Sequence, residues 1–298
     1  MPAVIDSDAL QAVFVQPSPN GAYEGNTLAY LSKVGANRPV LFLAFAPKAA
    51  GTFFRQAAMH TINGGLIRVA HAQGGRDGTP YLPNLLACYL DEELAPVIVH
   101  IHMQAFAANR NLLKAFGIRP VIMLRSVPDM LASFWDMLNT DPVARAEGLN
   151  CIVPDNFVEL SRTQKADFMV DAIAPWYASY FASWKTFFDE MPKQICVLRY
   201  RDFCQKPAES LHTAITHAGF VVTRFKCETA LTQIWSERTA YRYNKGTEGR
   251  GATYFSPHHL AEISRKLSHY PHLDSWMSDL MGAKPTHYKL QSIARAAS

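Results

Sequence analysis

The sequence predicts a single-domain α/β fold in which a central parallel β-sheet is flanked by helices. Short, continuous apolar runs alternate along the chain with segments of helical periodicity. Such runs are typical of strands buried on both faces, as they are in a parallel sheet. The alternation favours right-handed crossovers within one sheet, and no composition break divides the chain. We predict one domain over residues 39–298, after an irregular lead-in over residues 1–38.

The predicted elements follow one another closely along the chain. The first strand is the apolar run over residues 39–46, which leads through a turn into a helix over about residues 51–62. Further strands are predicted at 97–103, 120–125 and 195–200, and further helices at 105–116, 128–138 and 207–218. An aromatic stripe at helical spacing within residues 155–191 is interpreted as the core-facing side of a helix. Ligands of open parallel sheets bind beyond the carboxyl ends of the strands, so the residues after each strand are the candidate site.

Composition and charge narrow the class of protein. No apolar run has the length of a membrane span, and the N-terminus lacks the pattern of a signal peptide, so we expect a cytoplasmic protein. The net charge of +4 suits an anionic ligand, but no dense Lys/Arg run predicts a nucleic-acid-binding surface. The five cysteines are dispersed without a C-x-x-C pair, which favours reduced thiols over a disulfide framework.

The first candidate anion site follows the first strand. Residues 47–55 read Pro-Lys-Ala-Ala-Gly-Thr-Phe-Phe-Arg. A turn of small residues between a strand and a helix lets backbone N–H groups converge on a phosphate, to which Lys48 adds a charge and Thr52 a hydroxyl. The segment is not a Walker A motif, which argues against a Mg²⁺-dependent NTPase. A tight turn with a solvated lysine is the alternative interpretation of the same residues.

Two further candidate sites follow later strands. Arg125 comes directly after one apolar run and Ser133 lies eight residues beyond it, so a guanidinium and a hydroxyl can reach one anionic group. A surface arginine and a helical serine are the alternative. His100 and His102 point to the same face of the strand that carries them. Two histidines can also ligate a metal, but no third ligand follows at a convincing spacing, and we predict no metal site.

Four segments together resemble the sulfotransferases that use 3′-phosphoadenosine 5′-phosphosulfate (PAPS). Residues 47–54 are similar to their 5′-phosphosulfate-binding loop, P-K-S-G-T-T-W or P-K-x-G-G-T-T-F. Arg125 and Ser133 have the separation of their 3′-phosphate-binding element, R-x-P-x-D-x-x-x-S. Residues 198–203, L-R-Y-R-D-F, resemble their L-x-Y-E-D-L segment, and residues 244–251, N-K-G-T-E-G-R-G, resemble their R-K-G-x-x-G-x-W loop. The segments occur in the family's order.

The resemblance implies a P-loop-NTPase-like sulfotransferase topology, PAPS as donor, direct in-line transfer, and an acceptor hydroxyl on a small molecule, glycan or lipid. Lys48 would stabilise charge on the leaving phosphate, and His102 would act as general base toward the acceptor hydroxyl. His100 occupies a position where the family has lysine. Tyr200 would line the nucleotide pocket, and Phe54 would stack on adenine. The donor-binding set implied by the resemblance is Lys48, Ala50, Gly51, Thr52, Phe53, Phe54, Arg125, Ser133, Tyr200, Asn244, Lys245 and Gly246.

The sequence also departs from the family pattern. The loop has one extra small residue before Gly51, and Phe53 replaces the second threonine. Asn244 stands where arginine is typical, which leaves Arg242 or Arg250 as an alternative cation for the 3′-phosphate. Two other functions fit the same segments: a small-molecule kinase or NTPase-like phosphotransferase, and a nucleotide-binding module without catalytic activity.

Overall fold

A computed structural model of the chain describes residues 25–36, 38–70, 78–91, 93, 96–147, 151–236 and 248–282. Within these residues, five strands form one sheet in the order β2-β3-β1-β4-β5, and every pair of neighbours is parallel. The strands are β1 (Val40–Leu43), β2 (Gly65–Ile67), β3 (Val97–His100), β4 (Val121–Leu124) and β5 (Cys196–Arg199). The predicted class, α/β with a parallel sheet, is confirmed.

Helices connect and flank these strands, and α2 begins and ends where the sequence predicted. In chain order the helices are α1 (Gly25–Gly35), α2 (Gly51–Ile62), α3 (Leu82–Leu90), α4 (Ala107–Ala115), α5 (Val127–Thr140), α6 (Pro142–Glu147), α7 (Arg162–Phe168), α8 (Ala174–Glu190), α9 (Tyr200–Gln205), α10 (Pro207–His217), α11 (Arg224–Ser236), α12 (Gly251–Tyr254), α13 (Pro257–Ser268) and α14 (Met277–Met281). A π-helical turn (Met169–Ile173) joins α7 to α8, and short 3₁₀ turns lie at Phe157–Glu159 and Pro271–Trp276.

The central position of β1 determines which chain segments meet. All residues of β1, β3 and β4 are buried, as expected for strands covered on both faces. The last residue of β1, Leu43, lies opposite His100 of β3 on one side and Val121 of β4 on the other. Because the strands are parallel, the segments that follow β1, β3 and β4 leave the sheet at the same edge. We refer to this edge as the carboxyl edge.

The aromatic stripe forms the buried side of α8, as the sequence predicted. Its buried members are Trp176, Tyr177, Tyr180, Phe181, Trp184 and Phe187. Two of its phenol hydroxyls also reach the segment after β1: Tyr180 donates to the carbonyl of Ala44, and Tyr177 donates to the carbonyl of Pro47 over 3.0 Å. Helix α8 therefore contributes both to the core and to the position of the chain at the carboxyl edge.

Two of the elements that the sequence did not predict are α1 and β2. Residues 25–35, within the predicted irregular lead-in, form α1, which packs on α3 and α4 and buries Leu31 and Val34 one helical turn apart. The edge strand β2 was not predicted, because Gly65 and Leu66 are exposed and the strand has no apolar run. Among the described residues, no helix has the length and hydrophobicity needed to cross a bilayer.

Candidate functional site

The loop between β1 and α2 has an unusual backbone. Lys48 and Ala50 adopt left-handed conformations, with φ of 64° and 67°, although neither is glycine. Such conformations cost about 1–3 kcal/mol each and persist where the surrounding contacts hold them. Helix α2 then begins at Gly51 without any side-chain cap. Its first-turn N–H groups, which have no partner within a helix, point beyond the carboxyl edge.

Side chains from two other elements hold the carbonyl groups of this loop. Tyr177 of α8 donates its hydroxyl to Pro47, and the Arg125 guanidinium donates through Nη1 to the carbonyl of Lys48. The Lys48 ammonium extends toward α5, where Nζ lies 3.7 Å from Sδ of Met137. The loop is therefore fixed between α8 and the segment after β4, with its lysine next to α5.

His100 packs against the start of α2. A β-carbon added to Gly51 would lie 2.4 Å from Nε2 of His100, which is closer than real β-carbon contacts come. The His100 ring is buried and lies 5.0 Å from the ring of His102 in an edge-to-face arrangement. A β-carbon at residue 51 would require the buried His100 ring or the first turn of α2 to shift, so packing favours glycine at this position.

His102 is half-buried at the carboxyl edge and is oriented by a backbone carbonyl. Its Nδ1 lies 2.6 Å from the carbonyl oxygen of Phe45, in the segment after β1. Because a carbonyl oxygen only accepts, Nδ1 carries the proton in the neutral ring and the lone pair is on Nε2. The contact thus fixes both the tautomer of His102 and the direction of its basic nitrogen. Phe45, which makes this contact, lies three residues before Lys48 in the chain.

Arg125 lies in the wall of a cavity of about 220 Å³ at the carboxyl ends of β4 and β5. The side chain is 7% exposed, and its guanidinium carbon stacks 4.1 Å from the centre of the Tyr200 ring, which lines the same cavity. Its Nε is buried and makes no hydrogen bond with any described residue. The cavity therefore contains a buried, fixed positive charge with an unused donor.

Asp129, in the first turn of α5, anchors the C-terminal segment beside this cavity. Its carboxylate accepts hydrogen bonds from the backbone N–H groups of Gly249 and Gly251, at 2.9 and 2.7 Å. A β-carbon on Gly251 would lie 2.4 Å from Cβ of Pro128, so the two segments are in close contact. The segment around Gly249 and Gly251 is consequently held next to Arg125.

Arg250 is engaged elsewhere. Its guanidinium forms an ion pair with Asp136 of α5 and donates to the Tyr254 hydroxyl over 3.1 Å. These contacts raise the pKa of Arg250 against the opposing effect of its burial, which lowers it. Arg250 does not line the cavity. The structure thus gives this arginine a role in holding α12 on α5 and does not direct it to the predicted 3′-phosphate position.

Other predicted site residues are placed as follows. Phe54 is fully buried between the rings of Phe45 and Phe203, at 5.2 and 5.3 Å, so the predicted stacking face is enclosed by protein. Phe53 is also buried, against Phe203 and a tryptophan of α11. Ser133 is buried on α5 and is not among the residues that line the Arg125 cavity. Three predicted ligands lie outside the described residues: Asn244, Lys245 and Gly246.

The burial of Phe53 and Phe54 has a packing reason. Two consecutive phenylalanines in the first turn of a helix that covers a sheet cannot both face solvent. Here the Phe54 ring packs between Phe45 and Phe203 of α9, and the Phe53 ring packs against Phe203 and a tryptophan of α11. The sequence motif aligned Phe54 with a stacking tryptophan, whereas the direction of its side chain depends on packing against residues from other segments of the chain.

Sequence reasoning did not identify most residues of the cavity, among them Asp129, Arg201 and Glu248. Nε of Arg201 lies 4.0 Å from Oε2 of Glu248, an ion-pair distance that is too long for a hydrogen bond. Burial raises the pKa of the Glu248 carboxyl, and the positive charge of Arg201 opposes this rise. A signal was available for Arg201, since it stands where the resembling L-x-Y-E-D-L segment has glutamate.

The fold and site geometry define the chain as an α/β protein with the sulfotransferase fold. The crystal structure of mouse sulfotransferase SULT7A1 complexed with PAP is similar to it, with a TM-score of 0.59 and 12% sequence identity. The similarity covers 88% of this chain and 93% of the mouse chain. At this level of identity the likeness establishes the fold. No protein-family model matches the sequence, and no curated protein matches it.

Proposed function

We propose that the protein is a sulfotransferase that moves a sulfuryl group from PAPS to an acceptor hydroxyl. One observation carries the proposal: the loop with Lys48 and the uncapped N-terminus of α2 is fixed next to both His102 and Arg125. His102 contacts the carbonyl of Phe45, near the start of the loop, and Arg125 contacts the carbonyl of Lys48. A candidate base, a candidate leaving-group cation and a buried phosphate-binding cation therefore meet at one strand-to-helix turn.

The residues present suit a donor with two phosphate groups. The first-turn N–H groups of α2, from Gly51 onward, match an anionic 5′-phosphosulfate, because a helix N-terminus favours negative charge. Close contact with the His100 ring favours glycine there. Arg125 supplies a second anion position, since its Nε is buried without a described partner. The Tyr200 ring stacks on that guanidinium and so restricts its orientation.

The chemistry of the transfer divides between two side chains. When bound, PAPS supplies the sulfuryl group, whose bond to the phosphate oxygen breaks while a bond to the acceptor oxygen forms. Nε2 of His102 takes the acceptor proton, and the fixed tautomer keeps this nitrogen basic. Lys48 stabilises the negative charge that develops on the leaving phosphate oxygen. The histidine then releases its proton to solvent.

Calorimetric titration with 3′-phosphoadenosine 5′-phosphate (PAP), alongside ATP with Mg²⁺, tests the donor assignment. We expect the wild-type chain to bind PAP saturably and ATP at least tenfold more weakly, on the order of 1.4 kcal/mol. Arg125→Ala should abolish PAP binding, and Arg125→Lys should retain part of it, because it keeps the charge but loses the fork of donors. Arg265→Ala is the matched control, since this arginine is exposed, pairs with Glu262 and contacts His269, and does not line the cavity.

Each outcome has a definite meaning. Failure of folded wild-type protein to bind PAP would overturn the donor assignment, and ATP turnover with Mg²⁺ would then favour the phosphotransferase. PAP binding without release of PAP from PAPS, over a panel of phenols, alkyl alcohols and sugars, would instead identify a binding module without catalytic activity.

A further inference from the structure

We infer that Arg201 is a second phosphate ligand of the Arg125 cavity and that Glu248 is the internal anion it exchanges for the ligand phosphate. The inference rests on the proposed function for the identity of the nucleotide. The ligand class is a terminal phosphate monoester, such as the 3′-phosphate of PAP. No part of the sequence resemblance assigns this role to Arg201, because the segment it aligns with carries glutamate.

The charges around the cavity lead to this assignment. Six charged side chains line it: Arg125, Arg199, Arg201, Asp129, Glu248 and Asp279. Arg199 and Asp279 are paired with each other at 3.0 Å, and the Asp129 carboxylate accepts two backbone N–H groups. The remaining charges are the two guanidinium groups of Arg125 and Arg201 and the single carboxylate of Glu248.

The two guanidinium groups retain unused donors. Nε of Arg125 and Nε of Arg201 are both buried, and neither makes a hydrogen bond with a described residue. Buried donors of this kind cost free energy unless a partner satisfies them. Among the described residues, the carboxylate of Glu248 lies within ion-pair distance of Arg201, at 4.0 Å. The charges of Arg125, Asp129 and Asp279 also act on the Glu248 carboxyl and shift its pKa. A phosphate offers more acceptor oxygens than one carboxylate, which suits two arginine forks.

Binding of a phosphate dianion next to Glu248 requires that the carboxylate moves away or gains a proton. Arg201 and Arg125 favour its charged form, whereas burial and the carboxylates of Asp129 and Asp279 disfavour it. Bound phosphate adds a further negative charge that, like those of Asp129 and Asp279, disfavours the charged form of Glu248. Proton uptake by Glu248 should therefore accompany binding, and PAP affinity should fall as pH rises through the pKa of Glu248.

The test compares PAP with adenosine 5′-monophosphate, which lacks the 3′-phosphate, on wild type, Arg201→Ala and Arg199→Ala. We expect Arg201→Ala to weaken PAP binding by about 10- to 100-fold, as loss of charged hydrogen bonds does, and to leave the monophosphate within about twofold. Arg199→Ala removes the same charge from the same cavity, but from an arginine already paired with Asp279. It should change PAP affinity by less than about threefold.

Equal losses for the two nucleotides, or no loss in Arg201→Ala, would overturn the assignment while leaving PAP binding by the wild type intact. Failure of the wild type to bind PAP would overturn the proposed function instead. The anion site is then tested with inorganic phosphate alone: stabilisation of the wild type against thermal unfolding should be lost in Arg201→Ala, and equal stabilisation of both would contradict the inference.

Glu248→Gln tests the exchange separately. We expect it to tighten PAP binding at pH 7 by about 3- to 10-fold, because a neutral amide no longer competes for the guanidinium groups. It should also remove the part of the pH dependence that differs between PAP and the monophosphate below neutrality. Unchanged affinity together with an unchanged pH profile would show that Glu248 has no part in the site.

Discussion

At the scale of single residues, the position of His102 depends on one backbone contact. The carbonyl of Phe45 accepts from Nδ1, so the ring cannot rotate without losing a hydrogen bond at a half-buried position. His100 lies against it and against Gly51, which closes the other side. The orientation of the candidate base is thus maintained by the segment after β1, which also carries the phosphate loop.

His102→Asn separates this orienting contact from base catalysis. The asparagine amide N–H₂ can still donate to Phe45, but no basic nitrogen remains, and we expect transfer from PAPS to slow by about 10²- to 10⁴-fold. PAP affinity should stay within about twofold, because the residue contacts no phosphate in the proposed mechanism. His272→Ala, at a histidine that contacts Ala182 on another part of the surface, is the control. A variant as fast as the wild type would remove His102 from the mechanism.

Gly51→Ala tests the packing of the loop. The new β-carbon would meet Nε2 of His100 at 2.4 Å, so the His100 ring or the first turn of α2 must shift, and we expect PAP affinity to fall by tenfold or more, about 1.4 kcal/mol. Gly65→Ala is a matched control, because nothing lies within 4 Å of its added carbon. The double variant Gly51→Ala/His100→Ala should recover part of the affinity. Full affinity in Gly51→Ala alone would contradict the tight contact.

At the scale of elements, the site depends on how α5 holds its neighbours. The first turn of α5 binds the segment around Gly249 and Gly251 through Asp129, and its later turns bind Arg250 through Asp136. Helix α5 therefore positions the C-terminal part of the chain relative to β4, while α8 positions the loop after β1. Helices α5 and α8, which carry no predicted catalytic residue, thus position the C-terminal segment and the loop that carries Lys48.

Asp129→Ala should detach the C-terminal segment from the cavity. It removes the acceptor for two N–H groups, and we expect a loss of about 1–3 kcal/mol in unfolding free energy together with weaker PAP binding. Asp141→Ala is the matched control: Asp141 also accepts two backbone N–H groups, at 3.0 and 3.1 Å, but at the other end of α5. Urea unfolding and PAP titration of both variants give the comparison.

We expect the two variants to lose comparable stability, while only Asp129→Ala loses affinity. Equal PAP affinity in the two variants would mean that the anchored segment does not contribute to the site.

At the scale of the whole molecule, four cysteines report on the integrity of the core. None of the five cysteines forms a disulfide bond, and four of them are buried. Burial raises the pKa of Cys88 and Cys227 to about 11, and that of Cys196 and Cys204 to about 12. A raised pKa leaves little thiolate at neutral pH, and burial blocks access, so these thiols should be unreactive in the folded state.

Thiol labelling at pH 8 measures this expectation. We expect Cys151, which is half-buried, to react first in the native protein, and the four buried thiols to react only as fast as the chain opens. Addition of urea should release all four together if the sheet and its helices unfold cooperatively. Labelling of Cys196 or Cys204 in the native state at the rate of Cys151 would indicate that the β5 region opens separately.

The sequence by itself determined the fold class, the strand-to-helix loop at residues 47–51 and the edge of the sheet at which the segments after β1, β3 and β4 leave it. These features have local signals, because a strand buried on both faces needs a continuous apolar run and a phosphate turn needs small residues after it. The helix over 51–62 was predicted to the residue, since its start follows directly from that turn.

Only the tertiary structure decided which side chains meet at the site. Asp129 contacts residues 120 and 122 positions further along the chain, and Arg125 meets Arg201 because β4 and β5 are neighbours in the sheet. Phe54 was assigned to a ligand by motif but lies in the core, where its ring packs between those of Phe45 and Phe203 from two other segments of the chain. Contacts between distant segments arise from packing the whole chain, and no local pattern of residues encodes them.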